Sequence, residues 1–266
     1  MLQVEKLSYD WRSTHGTQSG GLSLNELSFQ AQVGDFVALL GPNGSGKSTL
    51  LKIIAGLASQ SRPHSSGSVE YKKQNLWQLP YEARARLVSY VGSDFKSEFP
   101  LTVEEAVSLG RICHGPHPRN RDWIEYAMEK CHCLELRARD LHTLSGGQRQ
   151  LVGLARAVAQ QSEVLLLDEA LSQMDLNYQF LMGKLLREWT DAKKLLVILV
   201  AHDFNLALHW ATSVLWLKAG QKVAGGAVRD VVTPHILGTI YPQAPIHVSY
   251  DEKTGLPRVS LSPQWS

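Results

Sequence analysis

Residues 41–49 read GPNGSGKST, and no other stretch restricts the possible folds as tightly. The spacing fits G-x-x-x-x-G-K-[ST], a loop whose backbone N–H groups wrap around phosphate oxygens. Gly41, Gly44 and Gly46 allow a tight turn and close approach of the anion where any Cβ would intrude. Pro42, Asn43 and Ser45 complete the loop. Lys47 adds a point charge for β- and γ-phosphates, and the Ser48 hydroxyl, with Thr49 beside it, suits Mg²⁺. A helical apolar pattern follows at once, with Leu50, Leu51, Ile53, Ile54 and Leu57 on one side, so the positive end of the helix dipole faces the anion. A nucleotide is the expected ligand.

Such a loop needs a strand before it, and residues 36–40 (FVALL) supply one. Residues 164–167 (VLLL) and 195–200 (LLVILV) read as further strands, nearly all apolar as strands covered on both faces must be. Short β-type runs alternate with helical ones, which predicts an α/β fold with a mainly parallel sheet. The segment up to Gly34, together with residues 69–71, alternates more and predicts an antiparallel β layer beside that sheet. Between Pro100 and His142 the pattern turns helical. Thr102 and Glu105 make a capping box, Ala106, Val107 and Leu109 follow, and a second helix is expected over residues 123–131, reached by a loop over 113–120.

Composition excludes several classes. A net charge of +2 leaves no nucleic-acid footprint, and the apolar run 195–201 is far too short to cross a bilayer. The first residues show no apolar signal region, and three cysteines argue for a reducing compartment, so a cytosolic location is expected. Cys113, His114, His117, Cys131, His132 and Cys133 carry metal-type side chains, but no paired C-x-x-C spacing joins them. Neighbours on one helix also point apart. Packed cysteines and solvent-facing histidines are the better account.

A second phosphate-type site stands at residues 144–148, LSGGQ. Ser145 and the N–H groups of Gly146 and Gly147 sit where a helix begins, with Leu151, Val152, Leu154, Ala155 and Val158 turned inward. By itself the motif also reads as a loop before a helix. One chain does not need two cradles for one nucleotide, so the functional reading shares them between two copies. Residues 164–169 (VLLLDE) then end a strand in two carboxylates: Asp168 suited to a Mg²⁺ shell, Glu169 to polarising or deprotonating an attacking water. His202 follows the 195–201 run, where a strand tip would approach a γ-phosphate. A satisfied structural histidine is the alternative.

Taken together these residues resemble the nucleotide-binding subunits of ATP-binding-cassette (ABC) transporters, over essentially the whole chain. Residues 41–48 match the family's Walker A loop, 144–148 its signature, 164–168 its Walker B strand, Glu169 its catalytic base, 172–175 (SQMD, ending at Asp175) its D-loop, and His202 its switch histidine. The resemblance implies a P-loop NTPase (RecA-like) fold with ATP and Mg²⁺ as cofactors. It implies a homodimer in which ATP lies between the Walker A loop of one copy and Ser145, Gly146, Gly147 and Gln148 of the other. Two transmembrane permease subunits are the implied partners, with a substrate-binding protein contacted indirectly and no nucleic acid. The implied location is the cytoplasmic face of the inner membrane, as a peripheral subunit. The expected domains are a core over 1–94 and 146–232, a helical subdomain over 95–145, and a short extension over 233–266. By the family's local pattern the adenine stacks on Trp11, with Tyr9 second, because the long segment 12–21 blurs the register.

The departures are as informative. Where the family carries a glutamine after the strand at residues 88–91 (VSYV), this chain has Ser93. Ser93 is shorter and needs a water to reach the metal, whereas Asp94 offers an oxygen if the loop shifts by one. Ala170 and Leu171 replace the usual Pro-Thr at packing positions. Residues 99–111, 202–221 and the tail 233–263 look like the ATPases of importers for iron-siderophore, haem and cobalamin, which places 95–101 near the groove for a membrane subunit's coupling helix. The expected function is therefore an importer ATPase. The rivals are a nucleotide-switched subunit that hydrolyses poorly, motivated by Ser93, and an exporter ATPase. A DNA-repair or translation ATPase is disfavoured by the single cassette and weak net charge.

Overall fold

The structure, a computed structural model, describes residues 1–10, 23–58, 65–93 and 95–262. β1 (Leu2–Tyr9) and β2 (Leu24–Ala31) pair antiparallel, and β2 alternates buried and exposed residues along much of its length. β3 (Phe36–Leu40) is buried at every residue. β4 (Ser66–Tyr71) and β5 (Gln74–Asn75) complete an antiparallel layer of order β2-β1-β4-β5. The main sheet joins β3 to β6 (Val88–Val91), β7 (Val164–Asp168), β8 (Leu196–Val200), β9 (Ser213–Lys218) and β10 (Gln221–Ala227), in the order β10-β9-β3-β8-β7-β6. All its pairings are parallel except the β9–β10 hairpin. This is the expected α/β P-loop fold with its antiparallel layer.

Successive side chains on a strand point to opposite faces, and the core divides accordingly. Phe36, Ala38, Leu40, Leu165 and Leu167 pack into one buried cluster. Val37, Leu39, Leu166, Ile198 and the inner face of the antiparallel layer pack into the other. Because β3, β7 and β8 run parallel, their C-terminal tips share one edge, and the loops leaving them converge there.

α1 (Lys47–Ile54) buries Leu50, Leu51, Ile53 and Ile54. Leu57 does not join them as expected: the helix stops at Ile54, Gly56 turns the chain at φ 71°, and Leu57 is left 54% exposed. α2 (Tyr81–Leu87) precedes β6. α3 (Val103–Ser108) begins with the expected capping box, Thr102 Oγ1 accepting from Glu105 N and Glu105 Oε2 from Thr102 N. A 3₁₀ turn over Leu109–His114 occupies part of the expected loop, and α4 (Asn120–Lys130) starts three residues before Trp123. Cys113, Cys131 and Cys133 are buried, and burial pushes the Cys133 thiol up to about 12. His117 and His132 are exposed, while His114 Nε2 pairs with the Gln160 carbonyl at 2.8 Å.

α5 (Gly146–Gln160) packs against α3 and α4, with Val158 only partly buried among its inward residues. α6 (Leu176–Asp191) and α7 (Phe204–Trp210) follow β7 and β8. Then come α8 (Val228–Val231), α9 (Pro234–Ile240) and a hairpin of β11 (Ile246–Tyr250) and β12 (Pro257–Leu261). Asn205 of α7 fastens that hairpin, its side chain donating to Val259 O and accepting from Val259 N. Among the described residues no helix is long and apolar enough to cross a membrane.

Candidate active site

The phosphate loop leaves β3 and closes into α1. Gly46, the residue before the helix, stands at φ 98°, and a Cβ there would lie 2.6 Å from the Ser23 carbonyl oxygen. Gly41 is equally constrained, since its Cβ would run into the Leu217 carbonyl. The β9–β10 turn braces the loop: Gly220 N donates to Ser45 O at 3.1 Å, and Asn25 N to Gly220 O at 2.9 Å. Lys47, only 8% exposed, donates to the carbonyls of Gly41 at 2.9 Å and Pro42 at 2.8 Å, which carries its ammonium across the loop. Burial lowers its pKa, and the nearby Glu169 and Asp168 carboxylates counteract that. The buried Ser45 hydroxyl has no hydrogen-bond partner among the described residues. The loop faces a cavity of about 690 Å³ whose lining also includes Ser48, Glu169 and His202. Helix dipole and ammonium both suit a polyphosphate.

At the tip of β7, Asp168 accepts from Ser48 Oγ through Oδ1 and from Tyr90 OH through Oδ2, each at 2.8 Å. Two adjoining oxygen donors, Ser48 and Asp168, fit a hard cation of the Mg²⁺ type that completes its shell with phosphates and water. Glu169 follows at φ 56°, a left-handed conformation that costs a non-glycine residue about 1–3 kcal/mol. Its N–H bonds the Val200 carbonyl at 3.1 Å, tying the turn to β8. Its Oε1 lies 2.9 Å from His202 Nε2. Asp203 N-caps α7 through Leu206 N, and this cap holds the His202 corner at the strand tip.

The LSGGQ loop has its own order. Ser145 N-caps α5, accepting from Gln148 N at 3.3 Å, while Gln148 Oε1 accepts from Ser145 N at 3.1 Å. The expected helix N-terminus is therefore present, and Gln148 spends its side chain on the cap. Among the described residues, none of Ser145, Gly146, Gly147 and Gln148 lines the phosphate-loop cavity. Asp175 N-caps α6, accepting from Tyr178 N at 3.0 Å.

Ser93 lies where the sequence put it, just past β6, with its carbonyl engaged. The buried Gln150 donates to Ser93 O at 3.2 Å and accepts from Gln173 N at 3.0 Å, and Gln173 Nε2 also reaches Ser93 O at 3.4 Å. Trp11 and Asp94 lie outside the described residues. Tyr9 cannot serve as the second stacking platform: it is 2% exposed, packed into the core of the antiparallel layer. Sequence reading missed Tyr90, Gln150, Ser23 and Gly220. The S-x-x-Q spacing at Ser145 was a readable capping signal, whereas the Tyr90 and Gln150 contacts join segments far apart in sequence and left no local trace.

Known proteins share this arrangement. The family model described as "ABC transporter" matches residues 24–172. The cobalamin import ATP-binding protein BtuD of Halobacterium salinarum is 32% identical over 92% of this chain, which spans 61% of that relative's length. The hemin import ATP-binding protein HmuV of Escherichia coli O157:H7 is 35% identical, covering 78% of this chain and 82% of its own. A solved structure described as an inward-facing, metal-chelate type ABC transporter superposes with TM-score 0.79 at 26% identity, covering 99% of this chain and 98% of the other. A family match over more than half the residues, with the phosphate loop, LSGGQ helix and Asp-Glu strand tip at one sheet edge, leads to one conclusion: the chain belongs to the ABC transporter family, whose ATPases bind ATP.

Proposed function

We propose that this chain is the ATP-hydrolysing subunit of an ABC importer for a metal chelate or related cofactor, of the iron-siderophore, haem or cobalamin type. The carrying observation is a site in two unjoined halves. Residues 43–49 of the phosphate loop line one cavity with Glu169 at the β7 tip, and Asp168 is joined to that loop through Ser48, while the Ser145 helix start lies apart from the cavity. Closure of a homodimer brings Ser145, Gly146, Gly147 and Gln148 of one copy over the γ-phosphate held by the other. The names of the relatives support the cargo class.

Each residue then has a task. Gly41 through Thr49 wrap the phosphates with backbone N–H groups, and Lys47 neutralises the β- and γ-oxygens. Ser48 and Asp168 hold Mg²⁺, which when bound offsets the charge developing on the phosphoryl oxygens. Glu169 accepts the proton of the attacking water. His202, at 2.9 Å from Glu169, orients that carboxylate and donates toward the γ-phosphate. Asp175 sits where a second copy's D-loop meets it, and Trp11 remains the proposed adenine platform. The core over 1–94 and 146–232, helical subdomain over 95–145 and extension over 233–266 form the working units. The subunit sits at the cytoplasmic face of the inner membrane under two permease subunits, contacting the substrate-binding protein only through them.

The deciding measurement is steady-state ATPase beside Glu169→Gln. The variant is expected to lose about 10²–10⁴-fold in rate while still dimerising on ATP. A wild type no faster than the variant sinks the hydrolysis claim and leaves a nucleotide-switched binding subunit.

A further inference from the structure

The metal corner contains one further contact, between Tyr90 and Asp168. Tyr90 stands on β6 opposite Leu166 in the parallel register with β7, and Asp168 is two residues farther along. Two strand residues span roughly 6.6 Å, a gap that a tyrosine bridges lengthwise. Its ring packs on the same sheet face as Leu166 and α1, and its hydroxyl ends 2.8 Å from Asp168 Oδ2. Ser48 holds the other oxygen at the same distance, so the carboxylate is fixed from both sides. Gly92 adds no side chain over the ring: a Cβ there would touch Tyr90 Cε1 at 3.4 Å. Beside these groups lies a cavity of about 490 Å³ lined in part by Ser48, Tyr90, Ser93, Asp168 and Glu169.

Resting on the reading of this corner as the Mg²⁺·ATP site, we propose that Tyr90 is the positioning residue of the metal carboxylate. Its phenol steadies Asp168 at the tip of β7, beside the β6 loop where Ser93 stands in the glutamine position. The phenol reaches the carboxylate along the strand direction, from a residue two positions back in the β6–β7 register. Burial first, and then the Asp168 and Glu169 carboxylates, push the phenol above its usual pKa. Partners that orient a metal ligand commonly contribute about 10–100-fold to metal affinity.

The test removes one oxygen atom. Mn²⁺ is titrated into the full chain with a non-hydrolysable ATP analogue, and the free ion is followed by its EPR signal. Tyr90→Phe is expected to weaken Mn²⁺ binding by about 10-fold or more. Binding of the analogue in EDTA should stay within about twofold of wild type, a separation that a merely structural role would not produce. Mn²⁺ affinity within about twofold of wild type overturns the proposal. Ser48→Ala serves as the reference. If it too leaves Mn²⁺ binding untouched, the metal site is misplaced altogether, a failure distinct from that of Tyr90. Should Tyr90→Phe fold poorly, 3-fluorotyrosine at position 90 keeps ring and hydroxyl. Its ¹⁹F resonance is expected to shift when Mg²⁺ joins the nucleotide complex, and a resonance indifferent to Mg²⁺ overturns the assignment.

Discussion

The two shoulders of the β7 tip are built differently. On the β8 side, Glu169 and His202 meet directly at 2.9 Å, and both residue types match the family pattern. On the β6 side Ser93 stands in place of the expected glutamine, and the contacts there are distributed. Tyr90 reaches Asp168 from within the sheet, while Gln150 and Gln173 hold the Ser93 carbonyl. The β8 shoulder consists of two side chains that line the phosphate-loop cavity and, in the proposed function, act on the reacting phosphate directly. The β6 shoulder acts through groups that fix other groups. A direct contact should therefore fail abruptly when cut, and a distributed one by degrees.

The strongest way to break this contrast is His202→Ala. In the proposed function His202 orients the base and donates to the γ-phosphate, so its removal is expected to lower the ATPase rate about 10²-fold. Nucleotide affinity should hold within a few-fold, because Lys47 and the loop N–H groups are untouched. Steady-state kinetics alongside nucleotide titration measures both. A variant that keeps more than a tenth of its rate would remove the claim that the β8 shoulder acts directly.

Gln150→Leu probes the opposite shoulder with a smaller effect. The substitution strands Gln173 N and weakens the hold on Ser93 O, at a cost of about 1–3 kcal/mol. For a chain of this size, at about 2 °C per kcal/mol, the thermal midpoint should fall by roughly 2–6 °C. Scanning calorimetry checks it. An unchanged midpoint would mean that Gln150 does not tie α5 to the β6 loop.

The same contrast marks what the sequence revealed. Residues 36–40, 164–168 and 196–200 are buried at every position, so unbroken apolar runs announced the central strands, and the functional side chains followed at their ends. Caps at Thr102 and Ser145 were local too, written within four residues. Leu57 misled because periodicity alone continued past Gly56, where the left-handed turn ends the helix. Tyr90 was hidden for another reason. Its partner lies 78 residues away, and only the parallel register of β6 with β7 sets a phenol beside that carboxylate. Tyr9 failed similarly: an aromatic on an alternating strand can face either way, and the pairing with β2 and β4 turns it into the core.

The smallest expected effect is also the sharpest discriminator between an impaired loop and a compensated one. Ser93→Gln restores the family's residue at a position whose side chain is exposed and whose carbonyl is already held by Gln150, so the amide enters without displacing a buried partner. If Ser93 simply cripples the metal shell, the restored amide should raise the ATPase rate severalfold. With Tyr90 already fixing Asp168, the gain should stay below about threefold in the otherwise native chain. The same substitution in Tyr90→Phe should recover much of the lost Mn²⁺ affinity, because amide and phenol then act on one cation. Groups that share a ligand are not additive, and a coupling of about 0.5–3 kcal/mol is expected across this pair. Strict additivity would show that the two residues act independently and that the β6 shoulder is no substitute for the missing glutamine.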